Sequence, residues 1–383
     1  MNQLSPLLAA KLADAVYGIR DDDNVARGIA ARGVRGLGDT FDLGSATIAQ
    51  GTTGAASFKK DSGFALVMHG KGARQGEVAV VTRGTATGHD WLSNFNCMTA
   101  TGPAGHLVHA GFQEVFKSIN NTINTALQGR SPSHIHCVGH SLGGAVANLN
   151  ASNLARQGHG VSLYTFGAPR VGFEAMARDL VKSLGEQNIF RVYNPSDVVP
   201  MIPIHPFVHS PYDKDGLCVR TGGALFSLNS HYMSSYTPAV ESATWSSLKN
   251  APRSQPLHAT IDQWLDRADD AVRIPGSSIG LWALGHALKA IIELGQAIGA
   301  VTFIIGATIV DMLASLLLKI ANLSRALGEK IMRFIGMVMR FAGKTAKTTR
   351  DITRSFLRYV LELLARPLFA LARRAIDNGL KGY

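Results

Sequence analysis

Apolar and polar positions follow two patterns along the chain, which change near residue 245. Between residues 62 and 245, short apolar runs alternate with segments whose apolar residues recur at helical spacing. The strand-like runs are 63–69, 76–84, 134–140, 161–167 and 188–194, and the helix-like runs are 111–127, 142–158 and 173–185. This alternation predicts a mainly parallel sheet that is covered by helices.

The second pattern begins after a stretch that contains Pro and Ser at 246–258. A short helical run covers 259–274, "PGSS" follows at 275–278, and the remaining residues are predicted to be helical throughout. We therefore predict a sheet-containing domain at 1–250, a linker with a short helix at 251–278, and an all-helical domain at 279–383.

The first 20 residues predict an amphipathic helix and not a signal peptide. Lys11 and Asp14 interrupt the apolar run, and no basic start precedes it. We expect a protein that is made in, and at first stays in, a reducing cytoplasm. The three cysteines, Cys97, Cys137 and Cys218, do not suggest a disulfide framework, although one bond is not excluded. The residues contain no cluster of Cys and His, so no metal or cofactor is expected.

Positive charge is concentrated at the end of the chain. Residues 319–383 carry 14 Lys/Arg against 4 Asp/Glu, whereas residues 1–278 carry 23 against 21. On a helical projection, Lys330, Arg333, Arg340 and Lys344 share about a quarter of the circumference, and Phe334, Ile335, Val338 and Phe341 lie opposite. The pattern suits an anionic membrane surface, with a helical bundle that has a basic outer face as the alternative. Nucleic acid is disfavoured because the apolar face is equally prominent and no nucleic-acid fold accompanies it.

An uncharged run of 17 residues lies between Glu293 and Asp311. A membrane span needs about 20 apolar residues, and Lys289, Glu293 and Asp311 would each be costly in a bilayer core. A Gly-x-x-x-Gly pair at 295 and 299 fits helix pairing in lipid. We favour a buried helix or a bundle over a membrane span.

A candidate nucleophile lies in "HIHCVGHSLGGAVANL" at 134–149. Ser141 follows a strand-like run, is flanked by Gly139 and Gly143, and precedes a helical run rich in small residues. A serine on a tight strand-to-helix turn is held out at the edge of the sheet, and its neighbours must be small. The start of the helix also favours the anion that acyl transfer creates.

A base and an acid follow in the order that this chemistry uses. Asp197 comes just after a strand-like run, and His231 follows 34 residues later. The order Ser, Asp, His is that of α/β-hydrolases. The base assignment is open to one alternative, His258, which falls in the predicted linker. His140, next to the serine, is expected to pack at the start of the helix and not to act as a second base.

The chain resembles the class 3 lipase family, the fungal-type lipases and their bacterial relatives, over residues 1–245. The motifs that carry the resemblance are "VVTRGT" (80–85), "HDWLSN" (89–94), "VHAGFQEVF" (108–116), "VGHSLGGAVA" (138–147), "YTFGAPRVG" (164–172), "NPSDVVPMIP" (194–203) and "HYMSSY" (231–236). The resemblance implies an α/β-hydrolase core with Ser141 as nucleophile, Asp197 as acid and His231 as base. It also implies an oxyanion hole formed by Thr85 and the main-chain N–H of Leu142.

The match to the family has further features and some departures. Trp91 corresponds to a residue near the family's flap, and 168–170 corresponds to scaffold. Thr82 stands where the family usually has an aromatic residue, and Asn94 where it usually has aspartate. The interval from Asp197 to His231 is shorter than in the fungal enzymes.

These features predict a serine hydrolase that cleaves carboxylic esters of lipids through an acyl-enzyme. The basic tail favours phospholipid over triacylglycerol, and membrane association through the C-terminal helices. A membrane-inserting or pore-forming protein and a soluble esterase for small substrates are the alternatives. The resemblance also suggests an antibacterial enzyme that is exported without a signal peptide and accompanied by an inhibitory or immunity protein.

Overall fold

The computed structural model describes residues 3–20, 24–53, 60–84, 98–212, 214–220, 227–251, 260–273, 278–297, 308–345 and 352–379. The strands in these residues are β1 (Phe41–Thr53), β2 (Lys60–Gly70), β3 (Glu77–Thr82), β4 (Thr99–Thr101), β5 (Leu107–His109), β6 (His134–His140), β7 (Val161–Phe166), β8 (Ile189–Tyr193) and β9 (Leu217–Cys218). The helices are α1 (Pro6–Ala15), α2 (Val25–Ala31), α3 (Ala110–Leu127), α4 (Leu142–Arg156), α5 (Glu174–Leu184), α6 (Met233–Ala239), α7 (Trp245–Lys249), α8 (Ile261–Ala271), α9 (Ser278–Ala297), α10 (Ile309–Leu323), α11 (Arg325–Phe341) and α12 (Arg354–Gly379).

A seven-stranded sheet forms the centre of the fold. Its strand order is β1-β2-β3-β6-β7-β8-β9, and β4 pairs with β5 separately. Strands β3, β6, β7, β8 and β9 run parallel to one another, whereas β2 is antiparallel to β3 and β1 is antiparallel to β2. The predicted mainly parallel sheet is confirmed, and so is the helical C-terminal region that follows it.

The inner strands form almost fully buried runs because helices cover both faces of the sheet. Every residue of β7 is buried, and so is every residue of β6 after His134. Such runs are typical of parallel strands, which bury both faces. One core joins the sheet to α3 and α4, and contains Phe112 and Leu142. A second core, on the other face, joins it to α1 and α6.

The C-terminal helices share the first of these cores. Leu284 of α9, Leu313 of α10, Phe334 of α11 and Leu361 of α12 belong to the same apolar cluster as Phe112 of α3. Helix α12 packs against the turns at Leu228–His231 and Val199–Met201. The helical region therefore lies against the segments that follow the sheet. The domain limits at 250 and 278 stay a prediction.

Both faces of the amphipathic helix α11 are occupied in this arrangement. Its apolar face, formed by Phe334, Ile335, Val338 and Phe341, is buried. Its basic face pairs with three aspartates of α8, in the bonds Lys330–Asp262, Arg333–Asp266 and Arg340–Asp269. The fourth basic residue, Lys344, lies over the ring of Tyr359. This is the packing of a helical bundle, and membrane binding stays a prediction.

Among the helices of the described residues, none has the length and apolar character needed to cross a membrane. Most of the uncharged run at 294–310, from 298 to 307, lies outside the described residues.

Candidate active site

Ser141 is the single residue between the end of β6 and the start of α4. Its φ is 56° and its ψ is −132°, and it is the one residue other than glycine with a positive φ in the described part of the chain. Such a conformation is strained for a side-chain-bearing residue. Its N–H donates to Phe166 O at 3.0 Å, and its carbonyl accepts from Gly144 N–H at 2.9 Å. These bonds hold the strained backbone of Ser141. The motif predicts a tight strand-to-helix turn here, and the structure has one.

The flanking glycines permit close backbone contacts that a Cβ atom would prevent. A Cβ at Gly139 would lie 2.3 Å from Gly143 O, and one at Gly143 would lie 2.1 Å from Thr82 O. A Cβ at Gly144 would lie 2.6 Å from the Cβ of Ala168. The glycines are therefore required for helix α4 to approach β3, β6 and the loop after β7.

Ser141, His231 and Asp197 form one chain of hydrogen bonds. The distance from Ser141 Oγ to His231 Nε2 is 2.9 Å, and that from His231 Nδ1 to Asp197 Oδ2 is also 2.9 Å. All three residues are nearly inaccessible, at 3%, 2% and 2% exposure. The structure thus brings together the three predicted residues from the end of β6, the loop after β8 and the turn before α6.

Asp197 is held by donors that sequence reasoning did not assign. Its Oδ2 also accepts from the hydroxyl of Tyr236 at 2.8 Å, and its Oδ1 accepts from Val199 N–H at 2.9 Å. Burial, and then the Asp197 carboxylate, raise the pKa of Tyr236 well above its usual range, so the phenol remains a donor. Tyr236 ends the motif at 231–236, and that position was its only sequence signal.

His140 links the N-terminal segment to the candidate base. Its Nε2 lies 2.6 Å from His231 O and must donate, so Nδ1 is the acceptor for the Tyr17 hydroxyl at 2.7 Å. Tyr17 in turn accepts from Gly84 N–H at 3.1 Å. Burial, and then the neighbouring His231, hold the pKa of His140 well below its usual range. His140 is therefore neutral and bridges Tyr17 and the main chain of His231. It is the last residue of β6, so the prediction that it packs at the start of the helix is wrong.

Thr82 and Arg83, at the end of β3 and just after it, form hydrogen bonds close to Ser141. The guanidinium of Arg83 is buried and donates to Gly63 O, to Gly84 O and to Ser62 Oγ. Thr82 donates its hydroxyl to Gly143 O at 2.6 Å, which explains why a small polar residue fits where the family usually has an aromatic one.

Gly84 lies directly against the nucleophile, because a Cβ there would be 3.0 Å from Ser141 Cβ. Thr85, the predicted side-chain donor of the oxyanion hole, lies outside the described residues, as do Trp91, Asn94, Cys97 and His258. Leu142 is the first residue of α4 and is buried. Its N–H belongs to the turn whose amides lack partners within the helix.

Chemically, this arrangement offers a buried hydroxyl, an imidazole within proton-transfer distance and a carboxylate that orients the imidazole. Geometry of this kind supports nucleophilic catalysis of acyl transfer.

Comparison with known proteins agrees with the motifs. Residues 79–207 match the family model described as Lipase (class 3). The chain is 35% identical to secreted mono- and diacylglycerol lipase 1 of Fusarium solani over 133 residues, which cover 33% of this chain and 39% of that lipase. It is 30% identical to a chloroplastic phospholipase A(1) of Arabidopsis thaliana over 152 residues, which cover 33% of this chain and 34% of that protein.

The chain thus spans less than half the length of these curated relatives. Among solved structures, the triacylglyceride lipase of Rhizomucor miehei aligns with 56% of this chain and 77% of its own, at 22% identity and a TM-score of 0.40.

Proposed function

We propose that this chain, whose residues 79–207 belong to the class 3 lipase family, hydrolyses carboxylic esters of lipids through an acyl-enzyme on Ser141. The observation that carries this proposal is the chain of hydrogen bonds from the strained Ser141 through His231 to Asp197. The family match supports the same reaction independently.

In the proposed reaction, Ser141 Oγ attacks the ester carbonyl while His231 Nε2 takes its proton. Asp197 stabilises the resulting imidazolium and keeps Nδ1 as the donor toward itself. Collapse of the tetrahedral intermediate returns that proton to the leaving alcohol and leaves the acyl group on Ser141. His231 then takes a proton from water, whose oxygen attacks the acyl-enzyme. Collapse of this second intermediate breaks the bond to Ser141, returns the proton from His231 to Ser141 Oγ and releases the fatty acid.

The oxyanion of this intermediate needs preorganised donors. We assign them to the N–H of Leu142 and to Thr85, as the family resemblance implies. Support in the structure comes from the position of Leu142 at the start of α4 and of Gly84 against Ser141.

The proposed substrates are acyl esters of glycerolipids, with phospholipid preferred over triacylglycerol. Two observations support this class. The matched relatives are named as acylglycerol lipases and as phospholipases A1, and residues 319–383 carry 14 Lys/Arg against 4 Asp/Glu. We place the reaction at an anionic membrane surface, where such an excess of positive charge is attracted.

Product analysis of the purified protein tests the proposal. It should release fatty acid from phosphatidylglycerol and from diacylglycerol, and the Ser141→Ala variant should lose about 10⁴- to 10⁶-fold in rate on a short soluble ester. Ser152→Ala is the matched control, because Ser152 is also buried on α4. Near-normal turnover by Ser141→Ala would contradict the proposal.

A further inference from the structure

A cavity of about 470 Å³ lies between the segments that follow the parallel strands and helices α8 and α9. Asp197 reaches one end of it, but Ser141 and His231 are not among its lining residues. Small-molecule sites occupy about 300–1,000 Å³ and combine apolar walls with a few polar groups. The cavity is therefore large enough for a ligand and separate from the nucleophile.

Four basic residues line this cavity, Arg170, Arg191, Lys214 and Lys289. The two lysines have carboxylate partners, since Lys214 lies 3.7 Å from Glu186 and Lys289 lies 3.4 Å from Glu293. The two arginines differ from them, because neither forms a salt bridge with any carboxylate in the part of the chain that the structure describes.

Arg170 and Arg191 are nevertheless partly buried. Arg170 donates from one guanidinium nitrogen to Met201 O at 2.8 Å and to Pro203 O at 2.9 Å. Arg191 projects from β8, and its Nε is buried without a hydrogen-bond partner in the described structure. Burial lowers the pKa of Arg170 to about 10, and the nearby charge of Arg191 lowers it further. Two like charges in a partly buried site, compensated only in part by Glu293 and Asp215, are costly unless an anion binds there.

Three carboxylates are among the described lining residues, and two of them, Glu293 and Asp215, favour the charged forms of Arg170 and Arg191. Both oxygens of Asp197 accept hydrogen bonds from the triad and its supports. Glu293 pairs with Lys289. Asp215 lies near enough to favour the charged form of Arg191, but not within salt-bridge distance of it. The positive charges of Arg170 and Arg191 are therefore only partly compensated by carboxylates.

The lining also contains aromatic and apolar side chains. The Trp264 and Trp282 rings lie 5.3 Å apart, and the ring of His286 stacks on Trp264 at 4.5 Å. His286 Nδ1 donates to Trp282 O, and burial lowers its pKa to about 4, so this ring is neutral at pH 7. Phe207 and Ile279 extend the apolar surface. A ligand that fits this lining carries an anionic group and an apolar chain.

We propose that this cavity binds an anionic amphiphile, with its carboxylate or phosphate on Arg170 and Arg191 and its apolar chain against Trp264 and Trp282. Guanidinium groups suit both anions because their parallel N–H donors match two oxygens. If the bound amphiphile is a product of this chain, that identification rests on the proposed ester hydrolysis. The existence of the anion site does not depend on that proposal.

Binding is measured on the full chain carrying Ser141→Ala, so that no turnover is needed. The probes are octanoate, methyl octanoate and inorganic phosphate. Their dissociation constants are measured by calorimetry and by the change in fluorescence of the cavity tryptophans. Octanoate is expected to bind and its uncharged methyl ester to bind at least tenfold more weakly. Added Arg191→Gln should weaken octanoate binding about ten- to hundredfold, and Arg191→Lys should weaken it less. Arg156→Gln, on the exposed end of α4, is the matched control and should change nothing.

The arms of the experiment separate the two sources of the anion. Binding of octanoate without phosphate identifies a fatty-acid site, and binding of phosphate that is lost in Arg191→Gln identifies a phosphate site. A second variant, Ala290→Trp, fills the cavity from α9 without altering an arginine and should abolish binding. The proposal is overturned if no anion binds, if the ester binds as well as octanoate, or if Ala290→Trp leaves binding intact. Esterase activity of the parent protein on a soluble ester is measured separately.

Discussion

The surroundings of Ser141 and those of helix α11 use polar side chains in opposite ways. At the triad, Asp197 and His231 are about 2% exposed and accept or donate within one fixed network. Along α11, Lys330, Arg333 and Arg340 pair with aspartates of α8 whose side chains are 40–68% exposed. A buried network fixes one geometry, because breaking it leaves unpaired groups. Exposed pairs are weak and can exchange partners with salt or an anionic surface.

The largest expected effect lies in the buried network. Asp197→Asn should lower kcat on a short soluble ester by about 10⁴-fold, because the amide stabilises the wrong tautomer of His231. Asp266→Asn on α8 removes the same charge from an exposed pair and should leave kcat unchanged. Steady-state kinetics of both variants checks this contrast, and equal losses would contradict it.

Tyr236→Phe should have a smaller effect on the same network. Loss of the phenol removes one donor to Asp197 and the acceptor for Asn194 N–H. We expect kcat to fall roughly tenfold and the free energy of unfolding to fall by about 1.5–3 kcal/mol. Tyr164→Phe removes a buried phenol remote from the triad, which accepts from Leu4 N–H. It should reduce stability without lowering kcat, and a similar loss of kcat in both variants would exclude a positioning role for Tyr236.

Acid should destabilise the sheet-containing part and the C-terminal helices through buried histidines. Burial lowers the pKa of His109, beside α3, and of His286, on α9, to about 4, whereas an unfolded chain protonates histidine near 6.5. Below pH 6.5 the unfolded state binds more protons, so the free energy of unfolding falls until about pH 4. By pH 5 each histidine should account for about 2 kcal/mol of this loss.

Chemical denaturation at pH 7 and pH 5 measures this loss in His109→Asn and His286→Gln. Each variant should have a shallower pH dependence than the parent. If the sheet and the C-terminal helices unfold as one unit, both variants will change circular dichroism and tryptophan fluorescence transitions alike. A change from His286→Gln in the fluorescence transition alone would indicate two units.

The smallest effect is expected along α8. Neutralising Asp262, Asp266 and Asp269 together should cost only about 0.2–1 kcal/mol of stability for each pair. Binding to phosphatidylglycerol vesicles should rise several-fold and weaken with salt, because the cations of α11 are released. The matched control neutralises three other exposed acids, Asp39, Glu114 and Glu241. If both triple variants bind vesicles equally, net charge and not the face of α11 controls binding.

Much of the sheet could be predicted because its buried strands are short, mainly apolar runs that alternate with helix-like runs. Strand β1 could not, because Asp42, Ser45 and Gln50 interrupt the apolar residues and its pairing with β2 contains register shifts. Such an edge strand is defined by its partner and not by its own sequence pattern.

The triad residues could be predicted because acyl transfer restricts both residue type and chain order. The contacts of Tyr236 with Asp197 and of Tyr17 with His140 could not, since such a tyrosine has no local pattern that distinguishes it from a core tyrosine. The basic face of α11 was recognised, but its acidic partners on α8 were not. Their pairing depends on the relative position of two helices.

Because α12 contacts the turn at Leu228–His231, we expect the proposed activity to depend on local unfolding of that helix. Regions of one protein open with different free energies, and an opening that removes the support of His231 would interrupt the triad without unfolding the sheet. The amides of α12 and of this turn should then exchange their hydrogens with the same free energy of opening. Substitutions in α12 that lower this free energy should lower activity in proportion to the time spent open. Hydrogen exchange measured beside activity tests this link, and independent exchange of the two segments would show that it is absent.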